Sequence, residues 1–135
     1  LKKTNKTSPK TWEEALDICL SEMREIMINR HRKYGPTNIL NLGIKGVLDR
    51  AIHDKGQRLL TYYRPLWARE AMKEWGISEE DIERLLSKNM PLQKDFKDES
   101  VEDAHYDMAN YVGPVSIMVK RGWWELPMEE VDTGL

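Results

Sequence analysis

The chain is nearly without cysteine. Its one thiol, Cys19, falls in a helical pattern and has no partner for an internal disulfide, which fits a reducing compartment. Zinc-ligand spacing is missing too, because His31, His53 and His105 form neither an HxH nor an HExxH pattern. No apolar run approaches the roughly 18 residues of a membrane span. The opening LKKTNKTSPK is polar and basic with no apolar h-region, so it does not read as a signal peptide. Excess charge of either sign is absent: 21 Lys+Arg stand against 23 Asp+Glu, a net charge of −2. That balance gives no broad electrostatic footprint for nucleic acid. Neither GxGxxG, Walker A nor nucleophile-elbow spacing occurs. These absences leave a soluble, cytoplasmic helical protein as the expectation.

What is present is helix. The 135 residues suit one domain, read as a basic arm over 1–10, a body over 11–124 and a tail over 125–135. Thr11 is placed to cap a helix, with Glu14 completing a capping box. Trp12, Ala15, Leu16, Cys19, Leu20, Met23, Ile26 and Met27 then recur at helical spacing, up to the stop signal Gly35-Pro36. A second helix is expected from about Ile39 to Tyr63, loosened at Gly43 and Gly46, and ended by Arg64-Pro65. Two short helices follow, one over 65–75 and one capped by Ser78. A last long helix spans about 98–120 and is kinked at Pro114. The fold class is therefore all-α: three long helices, with a short pair inserted before the last.

Three clusters stand apart from plain core. Glu99, Asp103 and Asp107 stack at i,i+4 on the last helix. Like charges at that spacing cost a few tenths of a kcal/mol per pair, roughly 0.2–0.5, so a cation is expected over them. Asp107 lies at the margin of an apolar arc, and a buried carboxylate needs a cation, a metal or hydrogen-bond donors. On the second helix Lys55 falls in the middle of the apolar arc, with Asp54 and Arg58 at its edge. A lysine so placed must snorkel or find an anion. Two readings stand open: Lys55 and Arg58 are ion-pair partners of Asp103 or Asp107, or Asp54 joins a metal site while Lys55 and Arg58 meet a phosphate. The third cluster, RHRKYGPTN over residues 30–38, gathers Arg32, Lys33, Tyr34 and Asn38 around a forced turn. Its cations suit phosphate and its amide suits a base edge or sugar; equally, a basic helix end complements the dipole. Trp123-Trp124 suits closing the bundle or packing on a second subunit.

Three motifs occur in order: R-K-Y-G-P-x-N (Arg32–Asn38), G-x-x-G-V-L-x-R-x-x-x-D-K-x-x-R-L (Gly43–Leu59) and E-S-x-E-D-x-x-x-D-x-A-N-Y (Glu99–Tyr111), closed by Arg121-Gly122-x-Trp124. Together they resemble the nucleotide modification associated domain of phage and bacteria, a family similar to the MazG-like all-α nucleotide pyrophosphohydrolases. The resemblance implies a (deoxy)nucleotide ligand, Mg²⁺ or Mn²⁺, and a homo-oligomer. It implies metal on Asp54, Glu99, Asp103 and Asp107, and metal-activated water attacking a nucleoside triphosphate to leave monophosphate and pyrophosphate. Lys55 and Arg58 would then neutralise phosphates, and Arg32, Lys33, Tyr34 and Asn38 would hold the rest of the nucleotide. One departure is plain. MazG-like enzymes usually present E-x-x-E on the second helix, whereas Asp49 and Asp54 here are five apart and point about 140° from one another. A nucleotide-binding module without hydrolysis, or a helical interaction protein, are the competing readings.

Overall fold

The structure is a computed structural model that describes residues 8–94 and 100–131. It is all-α, with no strand among the described residues. Helix α1 spans Trp12–Tyr34. Thr11 caps it, its hydroxyl oxygen accepting the Glu14 N–H at 3.1 Å. The Glu14 carboxylate reaches back one residue beyond the cap and accepts the Lys10 N–H at 2.7 Å. At the other end Gly35 donates its N–H to the His31 carbonyl at 2.9 Å.

Helix α2 spans Thr37–Asp49 and is broken at Gly43, where φ is 65° and ψ is 177°. That backbone region is essentially glycine-only, so the expected loosening is a true break. A π-helical turn, Arg50–Lys55, leads into α3, Gly56–Glu74. The expected stop at Arg64-Pro65 does not occur, and the short helix expected over 65–75 is the second half of α3. Proline inside a helix forfeits a ladder bond and costs roughly 3 kcal/mol. Here the Pro65 ring is buried and its carbonyl accepts from Arg69 Nη1 at 2.9 Å, contacts that a turn into solvent would lose.

Helix α3 stops at Gly76 (φ +81°), with Ile77 N–H donating to Met72 O and Gly76 N–H to Lys73 O, both at 3.1 Å. This pattern satisfies two terminal carbonyls at once. Helix α4 spans Glu79–Leu86, capped as expected by Ser78 through the Asp81 N–H at 3.2 Å. Arg69 stitches α3 to α4: Nε donates to Glu83 Oε1 at 2.6 Å, and Nη1 also donates to Met90 O at 2.9 Å.

Helix α5 spans Val101–Asn110. Ser100 caps it, accepting the Asp103 N–H at 3.0 Å. A second π-helical turn, Tyr111–Val115, takes in Pro114, and α6 follows over Ser116–Lys120. The expected kink is thus a widened turn, in which the Ser116 hydroxyl donates to the Tyr111 carbonyl at 2.5 Å.

The chain divides into two compact units, one built from residues up to Leu48 together with those from Ala109 on, the other from Asp49–Met108. The first packs Val47, Val115 and Trp124 with Met27, Ile39 and Met118. The second packs Leu59, Val101 and Ala104 with Tyr62, Tyr63 and Met108. Among the described residues no helix is long and apolar enough to cross a membrane.

Candidate functional site

Each unit carries its own group of polar residues. In the second unit the centre is an ion pair. Lys55 ends the first π-helical turn and Asp107 lies mid-way along α5; Lys55 Nζ approaches Asp107 Oδ2 at 3.2 Å. The Asp107 side chain is 2% exposed and that of Lys55 12%. The lysine centred on a core face has therefore found its anion, and of the two partners expected for it the structure selects Asp107. Coulomb attraction at 3.2 Å is about 5 kcal/mol at an effective dielectric near 20. Desolvation opposes it by several kcal/mol per ion.

The other predicted residues of this unit are arranged differently. Arg58 Nε lies 3.4 Å from Asp54 Oδ1, an i,i+4 pair with both side chains close to half exposed. Such pairs contribute only about 0.3–0.5 kcal/mol. Asp103 is half-buried at the third position of α5, and its carboxylate has no hydrogen bond or ion pair among the described residues. The free N–H groups of the helix start favour an anion there. Glu99 lies outside the described residues. Among the described residues no three His, Cys, Asp or Glu side chains gather as a metal would need. Asp107 is paired with Lys55, and Asp54 faces Arg58.

A feature the sequence did not signal sits in the same unit. The Tyr63 hydroxyl lies 2.6 Å from His105 Nε2, and the Tyr63 ring stacks on Trp67 at 5.7 Å and 14°. Forty-two residues separate Tyr63 from His105, so no local pattern links them.

In the first unit the RHRKYGPTN segment closes α1 and enters α2. His31 packs edge-on against Trp124, with centroids 4.6 Å apart and planes at 66°. The Trp124 indole N–H donates to the Pro36 carbonyl at 3.1 Å, which pins the forced turn to the ring behind it. His31 Nδ1 is buried and has no hydrogen-bond partner among the described residues. Beside it opens a cleft of about 410 Å³, walled by Met23, Met27, Met118, Trp123 and Trp124. Asn110, 5% exposed, lines the same cleft and donates from Nδ2 to the Met23 carbonyl at 3.3 Å.

A second hollow of about 500 Å³ shares His31 and Trp124 with the first and adds Arg32, Gly35, Pro36 and Glu125. Both terminal nitrogens of Arg32 lie 3.4 Å from the Glu129 carbonyl. Lys33 Nζ stands 5.2 Å over the Tyr34 ring. Tyr34 and Asn38 are exposed, and neither they nor Lys33 line the two hollows. Of the substrate-binding residues expected in this segment, Arg32 alone reaches the walls. His31, Asn110 and the methionines were absent from the expected set. His31 and Asn110 flank or lie within the quoted motifs, while the methionines read as ordinary core positions.

No family model, curated protein or solved structure matches this chain.

Proposed function

We propose that this chain binds a (deoxy)nucleotide, with the base in the cleft of the first unit. The observation that carries the reading is the buried, unpartnered His31 Nδ1 on the wall of an apolar cleft. A buried polar nitrogen without a partner costs about 1–3 kcal/mol, and a ligand that pairs with it recovers that cost. The cleft, at about 410 Å³, falls within the ~300–1,000 Å³ usual for small-molecule sites. Indole and thioether walls suit a flat heterocycle. His31 and Asn110 offer polar contacts to its edge. Arg32, on the adjoining hollow, suits the phosphates, and the R-K-Y-G-P-x-N resemblance points the same way.

A second reading keeps the hydrolase: a Mg²⁺-dependent nucleotide pyrophosphohydrolase of the MazG-like type, in phage or bacterial nucleotide metabolism or DNA base modification. Asp103 favours it, because its carboxylate is uncommitted among the described residues. Glu99 stands four residues before it on the sequence. The buried Lys55–Asp107 pair then supports the site instead of holding the metal.

Calorimetry with a panel of nucleoside and deoxynucleoside triphosphates, with and without Mg²⁺, followed by product analysis, separates the two. Binding that needs no Mg²⁺ and gives no products supports the module. Mg²⁺-dependent release of monophosphate and pyrophosphate supports the enzyme. Absence of binding to every nucleotide overturns both.

A further inference from the structure

Tyr63 belongs to α3 and His105 to α5, and the phenol of one meets the imidazole of the other at 2.6 Å. The Tyr63 ring is half-buried against the core of Leu59, Val101 and Ala104. Tyr62 packs perpendicular to it, with centroids 5.1 Å apart and planes at 89°. Trp67 stacks on it nearly parallel, at 14° with centroids 5.7 Å apart. The indole is 51% exposed. Contacts thus run from a surface indole, through a firmly seated phenol, to a base.

Packing accounts for the Tyr63 ring but not for the pairing of its hydroxyl. A buried phenol needs a hydrogen-bond partner. This bond lies on the exposed side of the unit, where water would serve as well. With the imidazole proton on Nδ1, Tyr63 donates its O–H to the Nε2 lone pair. One chemistry depends on that arrangement above others. A phenol gives up an electron readily only when its proton leaves at the same time, because the phenol cation radical is a very strong acid. An indole gives up an electron while keeping its proton. An electron vacancy on tryptophan therefore moves to a stacked tyrosine that has a base ready for its proton.

We infer that Trp67, Tyr63 and His105 form a one-electron redox relay. Its substrate is an outer-sphere one-electron oxidant that meets the exposed indole. Trp67 loses one electron to the oxidant and becomes a cation radical. Tyr63 returns one electron to Trp67 and passes its hydroxyl proton to His105 Nε2. The products are the reduced oxidant, restored Trp67, a neutral Tyr63 radical and a His105 imidazolium. One electron has left the protein and one proton has moved within it. All three residues belong to the second unit and none lines the cleft of the first, so the relay does not depend on nucleotide binding.

Other exposed aromatics lack a part of this arrangement. Trp12 and Trp75 are more exposed, at 73% and 76%, but neither stacks on a tyrosine among the described residues. Tyr34 is exposed with the Lys33 ammonium 5.2 Å over its ring, and a cation there opposes loss of an electron. These three residues are internal controls.

The test uses the full chain without nucleotide. Tris(bipyridine)ruthenium(III), generated by a light flash with hexaammineruthenium(III) as electron acceptor, is the oxidant. Transient absorption is expected to show a tryptophan radical giving way to a tyrosyl radical, more slowly in deuterium oxide than in water. Tyr63→Phe keeps the packed ring and is expected to abolish most of the tyrosyl yield, leaving the tryptophan radical standing. His105→Phe and, separately, His105→Gln are each expected to slow tyrosyl formation at least tenfold, since a positioned proton acceptor contributes roughly 100-fold or more. Both are expected to leave helical circular dichroism unchanged, because His105 is exposed. Trp67→Phe is expected to slow tyrosyl formation as well, because the oxidant must then reach the half-buried phenol directly. A tyrosyl yield unchanged in Tyr63→Phe, a rate indifferent to both His105 substitutions, or a wild type whose radical stays on tryptophan overturns the relay.

Discussion

Replacing Lys55 by methionine removes the cation from the Asp107 carboxylate and leaves that carboxylate 2% exposed in the second unit. At 3.2 Å the attraction is about 5 kcal/mol for an effective dielectric near 20, and the cost of desolvating both ions is of the same size. The net worth of the pair is therefore small, but breaking it is expensive. Lys55→Met or Asp107→Asn alone is expected to destabilise by about 3–5 kcal/mol. The double variant Lys55→Met, Asp107→Leu is expected to lie within about 1 kcal/mol of wild type, because no buried charge is left behind. Urea unfolding of the four proteins measures the coupling directly. If the single losses simply add in the double variant, the two charges do not speak to each other. If Asp107→Asn costs under about 1 kcal/mol, the carboxylate is not buried against a cation and the metal reading of the stripe regains its inner member.

Three further outcomes follow from the geometry. Gly43→Ala is expected to cost about 1–3 kcal/mol in thermal unfolding, because its φ of 65° and ψ of 177° are all but closed to other residues. Trp124→Phe forfeits the 3.1 Å bond to the Pro36 carbonyl and is expected to cost about 1–2 kcal/mol, with the His31 ring resonances shifting as the edge contact changes. The hydrogen bond from Arg69 holds the Glu83 carboxyl below its ordinary value; burial opposes it, and the Arg69 charge adds a smaller pull in the same downward direction. A depressed carboxyl contributes stability above its unfolded pKa and loses it as pH falls through the lowered folded value. Glu83→Gln is therefore expected to flatten the acid limb of a stability–pH profile and leave the slope above pH ~6 unchanged.

Local signals in this chain were legible and distant ones were not. Thr11 with Glu14, the Ser78 cap and the stop at Gly35 each act within a few residues, and each appears in the structure. Lys55 was legible in another way: a lysine centred on an apolar arc demands an anion, and Asp107 supplies it. Pro65 misled because the stop rule is local while its burial is tertiary. The two π-helical turns carry no periodic signature of their own. The cleft wall depends on Trp124 meeting Pro36 across 88 residues and Asn110 meeting Met23 across 87. No spacing argument reaches that far, so Trp124 read as closing the bundle or packing on a second subunit with no partner named for it, and His31 read as one more basic residue at a helix end.

The most direct test of nucleotide binding in the cleft uses the methionines as reporters. Met23, Met27, Met118 and Met128 line it, while Met72, Met90 and Met108 belong to the other unit. With ¹³C-methyl methionine and a titration of a deoxynucleoside triphosphate, the account predicts saturable shifts of the first four methyl signals, abolished in His31→Ala with Asn110→Ala. Shifts confined to Met72, Met90 and Met108, or no saturable shift with any of the four common bases, would contradict it.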